Sequence, residues 1–378
     1  DVEESQHEVV LVDFVTRNVP AENLAEDRVR HGRSLYAPRA WDQRPPNAEP
    51  RGFTNPGVGR RVPAMMLRFL VLGLALALGC GSDDAATGTG GSAGMGGQAG
   101  DGGQAGMAGS GGEFAPDPPL EIGPSDRPAS VSIPSDYDPE VSYPLLFVLH
   151  GAGANGSVQA SYFGLRPLVD SKQFVMVYPD GTPNESNSLR WNGAGCCTSE
   201  DSPDDVSYLS SLIEEALRTY NTDAKRVYLM GHSNGGFMSF RLGCEASTLF
   251  TAMMSLAGST WNDPEDCAPG TPPVSVLVVH GTADGTISYD GTVYPGAVEV
   301  AERSAAAAGC DPSVTTNLGT TDYLEAVPGE ETEKIAYAAG CDEGLAVELW
   351  TMTDGVHIPF LGDQFADDVT DWLFSKSR

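Results

Sequence analysis

The sequence predicts an α/β fold with a mostly parallel central sheet that is covered by helices on both faces. From residue 120 onward, strand and helix signals alternate, as they do in strand–helix–strand units. Two continuous apolar runs that end at glycine, PLLFVLHG at 144–151 and FVMVYPDG at 174–181, indicate buried parallel strands. Residues 120–378 are long enough to form one such domain.

Further elements follow in the same alternating order. The segment 204–220 opens with acidic residues and is expected to be a helix with one apolar face, formed by Val206, Leu209, Leu212, Ile213 and Leu217. Strands are predicted at the start of 226–236 and at 250–258, 273–281 and 346–352, and helices at 236–245, 297–309 and 365–376.

The residues before this domain differ from it in composition. Residues 65–80 read MMLRFLVLGLALALGC. The positive charge of Arg68 precedes the short apolar run Phe69–Leu78, and this combination is typical of a secretory signal. The run is too short to span a bilayer, which takes about 20 residues. Its end resembles a bacterial lipobox that would make Cys80 the acylated residue of a lipoprotein, and ordinary cleavage after residue 77 is the alternative.

A signal belongs at a true N-terminus, so residues 1–64 are interpreted as an upstream extension that the natural product lacks. A genuine N-terminal region before an internal apolar helix is the alternative. Residues 81–119 are mostly Gly, Ala, Ser and Gln and are expected to form a flexible tether. These features predict an extracytoplasmic protein, either a lipoprotein anchored in the outer membrane through Cys80 or a secreted protein.

Charge and cysteine content narrow the possible partners and compartment. The net charge of −30 disfavours nucleic acid and anionic surfaces as partners, and it says nothing about fold. The oligomeric state does not follow from the sequence. The chain has seven cysteines, and the even number left after Cys80 suggests disulfides in an exported protein. No CxxC pair or histidine spacing supports a metal site. Cys310–Cys341 is the expected C-terminal pair. The adjacent Cys196 and Cys197 are expected to reach Cys244 and Cys267 more easily than each other.

The segment GHSNGG at 231–236 matches the pattern G-x-S-x-G, the sharp strand-to-helix turn that exposes a nucleophilic serine. The same pattern occurs at 90–94 in low-complexity sequence, where no strand is predicted before it and no helix after it. The residues around each match therefore decide which one is the nucleophile turn. Ser233 has an apolar strand before it and a helix after it. Gly231 and Gly235 lack a Cβ, which allows a strained turn and close packing. A plain turn with a surface serine is the alternative.

A nucleophilic serine needs a general base and an acid that orients that base. Of the six histidines, His357 fits the chain order Ser…Asp…His, in the loop between the last strand and the last helix. His232 is expected to point away from the serine. Asp284, at the carboxyl end of the strand 273–281, is favoured as the acid over Asp290, which has the sequence context of a turn.

Two backbone N–H groups are expected to form an oxyanion hole. One belongs to Asn234, at the N-terminus of the helix that follows the serine. The other belongs to Ala152, with Gly151 as the alternative, in the glycine-rich loop LHGAGANGS. A tight strand-to-loop turn without a ligand is the competing interpretation of that loop.

Several motifs occur together in one order: LHGAGANG, YPDG…RWNGAGCC, DDVSYL, GHSNGG, HGTAD…YDG and GVHIPF. Over about residues 130–375, they resemble the group of polyhydroxybutyrate depolymerases, feruloyl esterases and acetylxylan esterases, which are secreted α/β hydrolases close to carbohydrate esterase family 1. The resemblance implies an α/β-hydrolase fold and a triad of Ser233, Asp284 and His357. It departs at the histidine, where the family has GGGHTWPG and this chain has DGVHIPF. Trp191 and Asn192 match the WN of the family and are expected either to bind substrate or to pack the loop.

The resemblance implies a serine esterase that cleaves carboxylic esters through an acyl-enzyme and needs neither a metal nor an organic cofactor. Its partner would be a small or oligomeric ester, either a feruloyl or acetyl ester of a plant polysaccharide fragment or a 3-hydroxybutyrate oligomer. Two alternatives stay open. One is a serine peptidase of the prolyl-oligopeptidase type, and the other is a non-catalytic binding lipoprotein on the same scaffold.

Overall fold

A ten-stranded mixed sheet is the central element of the computed structural model, which describes residues 114–196, 202–267, 270 and 272–378. Two further short strands, β5 and β6, form a separate ribbon. In chain order the strands are β1 (Glu121–Ile122), β2 (Ala129–Ser132), β3 (Tyr143–Leu149), β4 (Val175–Pro179), β5 (Thr182–Pro183), β6 (Leu189–Arg190), β7 (Thr222–His232), β8 (Ala252–Leu256), β9 (Ser275–Gly281), β10 (Thr316–Thr321), β11 (Thr332–Tyr337) and β12 (Val347–Met352).

Helices cover this sheet on both faces. They are α1 (Gly156–Tyr162), α2 (Arg166–Lys172), α3 (Asp205–Thr219), α4 (Asn234–Glu245), α5 (Ala297–Ala307) and α6 (Asp363–Phe374). One apolar cluster joins the sheet to α3, α4 and α5 through residues such as Leu212, Met238 and Val300. The opposite cluster joins it to α1, α2 and α6 through residues such as Val169 and Phe365. The predicted layer arrangement is therefore confirmed.

The order of the strands places the carboxyl ends of β7, β9 and β12 at one edge of the sheet. The order is β1-β2-β4-β3-β7-β8-β9-β12-β11-β10, and the six strands from β4 to β12 in this order are parallel. The central strands are continuous apolar runs where both faces of the sheet are covered, as in β3, where every residue is buried. Since the strands are parallel, the residues that follow β7, β9 and β12 lie at the same edge of the sheet.

The apolar runs predicted from the sequence correspond to β3, β4, β7, β8, β9 and β12, and the predicted helices correspond to α3, α4, α5 and α6. The elements not predicted are short or lie toward the edges of the sheet. They are β1, β2, β5, β6, β10, β11, α1 and α2. Strand β10 shows the reason, because its sequence TNLGTT is largely exposed at the sheet edge and carries no apolar pattern.

Two disulfides connect Cys244 with Cys267 and Cys310 with Cys341. The second pair confirms the prediction. The expectation that Cys196 and Cys197 would bond to Cys244 and Cys267 is wrong. The end of α4 and the short turn at Pro264–Asp266 bring Cys244 and Cys267 to a Cα–Cα distance of 5.4 Å, so these two bond to each other. Cys196 is itself disulfide-bonded, and Cys197 lies outside the described residues.

The predicted upstream extension, the signal with Cys80 and the tether up to residue 113 also lie outside the described residues. Within the residues that the structure describes, no helix has the length and apolar character needed to cross a membrane. Within the same residues, no group of three or more His, Cys, Asp or Glu side chains is arranged to hold a metal ion.

Candidate active site

Ser233 occupies the tight turn between β7 and α4, as the sequence pattern predicts. Its backbone has φ 51° and ψ −120°, a conformation that a residue with a Cβ adopts only where the surroundings enforce it. The N–H of Ser233 donates to the carbonyl of Leu256 at 2.9 Å, and its carbonyl accepts from the N–H of Phe237 at 3.0 Å. These bonds hold the strained turn, which raises the hydroxyl above the carboxyl edge of the sheet.

The two glycines of the turn leave no room for a side chain. A Cβ on Gly231 would overlap the carbonyl oxygen of Gly235, and a Cβ on Gly235 would overlap the carbonyl oxygen of Leu149 in β3. Both contacts are with backbone, which cannot rotate away. The helix therefore approaches the sheet closely enough for its N-terminus to lie beside the serine.

We expect Gly235→Ala to lower the free energy of unfolding by about 3 kcal/mol, because the added methyl group must push α4 away from β3. Urea denaturation followed by circular dichroism measures this loss. Gly243→Ala on the same helix is the matched control, because a Cβ there meets only the side chain of Met253 at 3.7 Å. Equal stability of the two variants would contradict the close packing described here.

Three side chains from distant parts of the chain form one hydrogen-bonded series. His357 Nε2 lies 2.9 Å from Ser233 Oγ, and His357 Nδ1 lies 2.8 Å from Asp284 Oδ2. A carboxylate can only accept, so Nδ1 carries the proton and Nε2 is free to accept from the serine hydroxyl. The structure thus brings together the predicted nucleophile, base and acid, in the geometry of a Ser-His-Asp triad.

Asp284 is buried and receives four hydrogen bonds. Its Oδ1 accepts from the N–H groups of Thr286 and Ile287, both at 2.8 Å, and its Oδ2 accepts from His357 and, at 3.2 Å, from His280 Nε2. Burial raises the pKa of Asp284, but the hydrogen bonds from His280 and His357 outweigh it and hold that pKa well below its usual value. The carboxyl group is therefore ionised at neutral pH. Asp290, the alternative acid, is an exposed residue within a turn.

The structure distinguishes between the two loop residues considered for the oxyanion hole. The N–H of Gly151 already donates to Gln159 Oε1 at 3.1 Å. The N–H groups of Ala152 and Asn234 make no hydrogen bond in the described part of the chain. The loop lies beside the nucleophile, since a Cβ on Gly151 would be 3.4 Å from the Cβ of Ser233. Ala152 and Asn234 remain the predicted donors.

Trp191 and Asn192 lie next to the elbow, but their contacts are those of packing. Trp191 is fully buried, its indole Nε1–H donates to the carbonyl of His150, and its backbone N–H donates to Asn234 Oδ1. Asn192 donates its backbone N–H to Asp205 Oδ2 at 2.7 Å. Of the two roles considered for these residues, the geometry favours packing of the loop over contact with substrate.

A buried ion pair anchors this loop. Asp205 is fully buried and lies 2.7 Å from Arg127 Nη1, while its other oxygen accepts from Asn192. The guanidinium group of Arg127 also stacks on Tyr208, at 3.7 Å from the ring centroid. The ion pair fixes the start of α3 relative to the residues that support the elbow.

We expect Asp205→Ala to lower the free energy of unfolding by about 3–5 kcal/mol, because it leaves the Arg127 charge without its buried partner. The adjacent Asp204→Ala is the matched control. Asp204 is an exposed helix cap that bonds Ser207, and its loss costs about 1 kcal/mol. Denaturant titration of both variants compares them directly, and a loss at Asp205 no larger than that at Asp204 would contradict the expectation.

His232 makes a contact that the sequence did not predict. The side chain does not hydrogen-bond Ser233, but its Nε2 lies 3.0 Å from the carbonyl oxygen of His357. Its position immediately before Ser233 is the feature of the sequence that points to this residue. That position does not identify His357 as its hydrogen-bond partner. The other two buried histidines of the site region, His150 and His280, bond the loops that follow β4 and β9.

The architecture is an α/β-hydrolase fold, and the series Ser233–His357–Asp284 has the arrangement that a serine nucleophile requires. Residues 122–289 match the family described as "Putative esterase", a segment that contains Ser233 and Asp284 and stops before His357. The resemblance to esterases is thereby confirmed for that segment.

Known proteins with similar sequences carry related names. A "Probable feruloyl esterase C" of Aspergillus niger is 28% identical over 193 residues, covering 50% of this chain and 64% of that protein. A bifunctional acetylxylan esterase/xylanase of Neocallimastix patriciarum is 31% identical over 163 residues, covering 43% of this chain and 22% of that protein. The chain thus spans less than two thirds of either relative. The solved acetyl xylan esterase of Aspergillus awamori is 14% identical, with a TM-score of 0.49 over 68% of this chain and 98% of that one.

Proposed function

We propose that this protein is an exported serine esterase that cleaves carboxylic esters through an acyl-enzyme. The observation that carries the proposal is the hydrogen-bonded series Ser233–His357–Asp284 at the carboxyl edge of the parallel sheet. The match to an esterase family and the names of the relatives support ester hydrolysis over peptide hydrolysis.

The geometry suits a two-step acyl transfer. Ser233 Oγ attacks the ester carbonyl while His357 Nε2 takes its proton, and the Asp284 carboxylate stabilises the imidazolium that forms. The N–H groups of Ala152 and Asn234 would stabilise the negative charge on the carbonyl oxygen. His357 then gives its proton to the leaving alcohol. Water, activated by the same imidazole, hydrolyses the acyl-enzyme and restores the serine.

For the substrate, we propose feruloyl or acetyl esters carried by soluble fragments of plant polysaccharide. The names of the relatives support this class. Two exposed apolar residues of the His357 loop, Val356 at 49% and Phe360 at 41% exposure, offer an apolar surface close to the base. The net charge of −30 disfavours polyanionic polymers. Oligomers of 3-hydroxybutyrate are the competing substrate.

Export is supported by the disulfides Cys244–Cys267 and Cys310–Cys341, since such bonds persist in oxidising compartments outside the cytoplasm. Attachment through a lipid on Cys80, with residues 81–119 as a tether, is the proposed form of the exported protein, and release after cleavage is its alternative. Mass spectrometry of the protein purified from bacterial membranes distinguishes them, because acylation adds fatty-acyl mass to a peptide that begins at Cys80.

The test of the proposed activity is a panel of substrates supplied to the full chain. The panel contains p-nitrophenyl acetate, methyl ferulate, acetylated xylo-oligomers, a 3-hydroxybutyrate trimer and a proline-containing peptide. Faster hydrolysis of methyl ferulate or acetylated xylo-oligomers than of the trimer supports the proposed class. Cleavage of the peptide alone would indicate a peptidase, and absence of both turnover and labelling by a fluorophosphonate would indicate a binding protein.

A further inference from the structure

His232 connects the strand that carries the nucleophile with the loop that carries the base. It is the last residue of β7 and only 1% exposed. Its ring packs between the rings of Tyr162 and His357, with centroid distances of 5.5 Å and 5.3 Å. It therefore lies where β7, α1 and the loop after β12 meet, and the catalytic geometry requires these three elements to keep their relative positions.

The hydrogen bond from this ring fixes the backbone of His357 itself. The loop after β12 is held at Gly355 by the N–H of Ala283, and at Pro359 by the hydroxyl of Tyr162 at 2.9 Å. Between these two anchors, the carbonyl of His357 is held by His232 Nε2 at 3.0 Å. Loss of that bond would leave the residue that bears the base without a backbone anchor of its own.

The same bond determines the state of the His232 ring. A carbonyl oxygen only accepts, so Nε2 carries a proton and donates it. Burial, followed by the nearby His357, lowers the pKa of His232 to about 3, so the ring is neutral and Nδ1 is a bare acceptor. Among the residues that the structure describes, Nδ1 has no hydrogen-bond partner, and it lies so close to Gly151 that a Cβ there would be 3.0 Å away.

An unsatisfied buried nitrogen lowers stability, so an apolar side chain of similar size would suit this site as well or better if packing were the only requirement. A histidine at this position is accounted for if the hydrogen bond from its Nε2–H is required. We propose that His232 is a positioning residue, whose Nε2–H holds the carbonyl of His357 so that the imidazole stays aligned with Ser233 and Asp284. This inference rests on the proposed esterase function of the same site.

The test compares His232→Gln with His232→Met in the full chain. Glutamine can place an amide N–H where Nε2–H lies, and methionine has a similar volume but no donor. We expect His232→Met to lower kcat by about 10- to 100-fold with KM within about twofold, because a small misplacement of a catalytic group has that effect. Its melting temperature should stay unchanged or rise. His232→Gln should recover most of the lost kcat.

A folded His232→Met variant with wild-type kcat would overturn the proposal, and so would a His232→Gln variant as slow as His232→Met. A parallel loss of kcat and melting temperature in both variants would likewise assign His232 a structural role alone.

A readout independent of turnover separates this inference from the proposed function. ¹⁵N NMR of histidine-labelled protein at neutral pH should show His232 as the neutral Nε2–H tautomer, with that proton slow to exchange. A protonated ring or an Nδ1–H tautomer would overturn the inference even in an active esterase. The expected tautomer in a protein without esterase activity would mean that only the proposed function fails.

Discussion

Replacing Ser233 by alanine is expected to abolish ester turnover and leave the fold intact. The change removes the one hydroxyl that lies 2.9 Å from His357 Nε2 and keeps the Cβ, so the strained turn is unaltered. By analogy with other serine hydrolases, kcat should fall by about 10⁶-fold, since only the oxyanion donors and binding contacts would remain. Turnover of p-nitrophenyl acetate by the purified variant, corrected for spontaneous hydrolysis, measures the loss.

Ser239→Ala is the matched control for this experiment. Ser239 lies on α4, the helix that follows Ser233, is buried, and donates its hydroxyl to the carbonyl of Gly235 at 2.9 Å. It should retain turnover within a few-fold of the wild type and remain labelled by a fluorophosphonate. If Ser233→Ala kept substantial activity or labelling, another residue would be the nucleophile, and the turn at 231–236 would have only a structural role.

The parts of this molecule that the sequence predicts correctly are those in which a local pattern has a single structural solution. Continuous apolar runs such as 144–149 can be buried only as central strands, because both of their faces must be covered. The turn at Ser233 follows from two glycines placed where any Cβ would overlap backbone. His357 and Asp284 follow from their order in the chain and their places at the ends of strands, although only the structure shows the distances between them.

The parts that could not be predicted depend on contacts between segments that are distant in sequence. Strand β11 pairs with β12 near one edge of the sheet, and its sequence TEKIAY carries no complete apolar run, since four of its six residues are partly or fully exposed. The Cys244–Cys267 disulfide depends on how the chain turns at Pro264–Asp266 after leaving β8. The bond from His232 to His357 joins positions 125 residues apart, and no local spacing encodes it.

The replacement with the second largest expected effect is Asp284→Asn, which should lower kcat by about 10⁴-fold with little change in the fold. The Oδ1 atom of the new amide can still accept from the N–H groups of Thr286 and Ile287. The amide NH₂ then faces His357 Nδ1 and can only donate to it. The imidazole proton must then lie on Nε2, and a protonated Nε2 cannot accept the proton of Ser233. The pH dependence of kcat, measured with p-nitrophenyl acetate, should show this loss at neutral pH.

Asp290→Asn provides the control, because Asp290 is the other acid that follows β9 and is exposed beside a turn. It should leave kcat near the wild-type value. If Asp290→Asn were the slow variant, or if Asp284→Asn retained more than about one tenth of wild-type kcat, the buried carboxylate would not be what orients the base, and the four hydrogen bonds to Asp284 would serve only to hold the loop after β9.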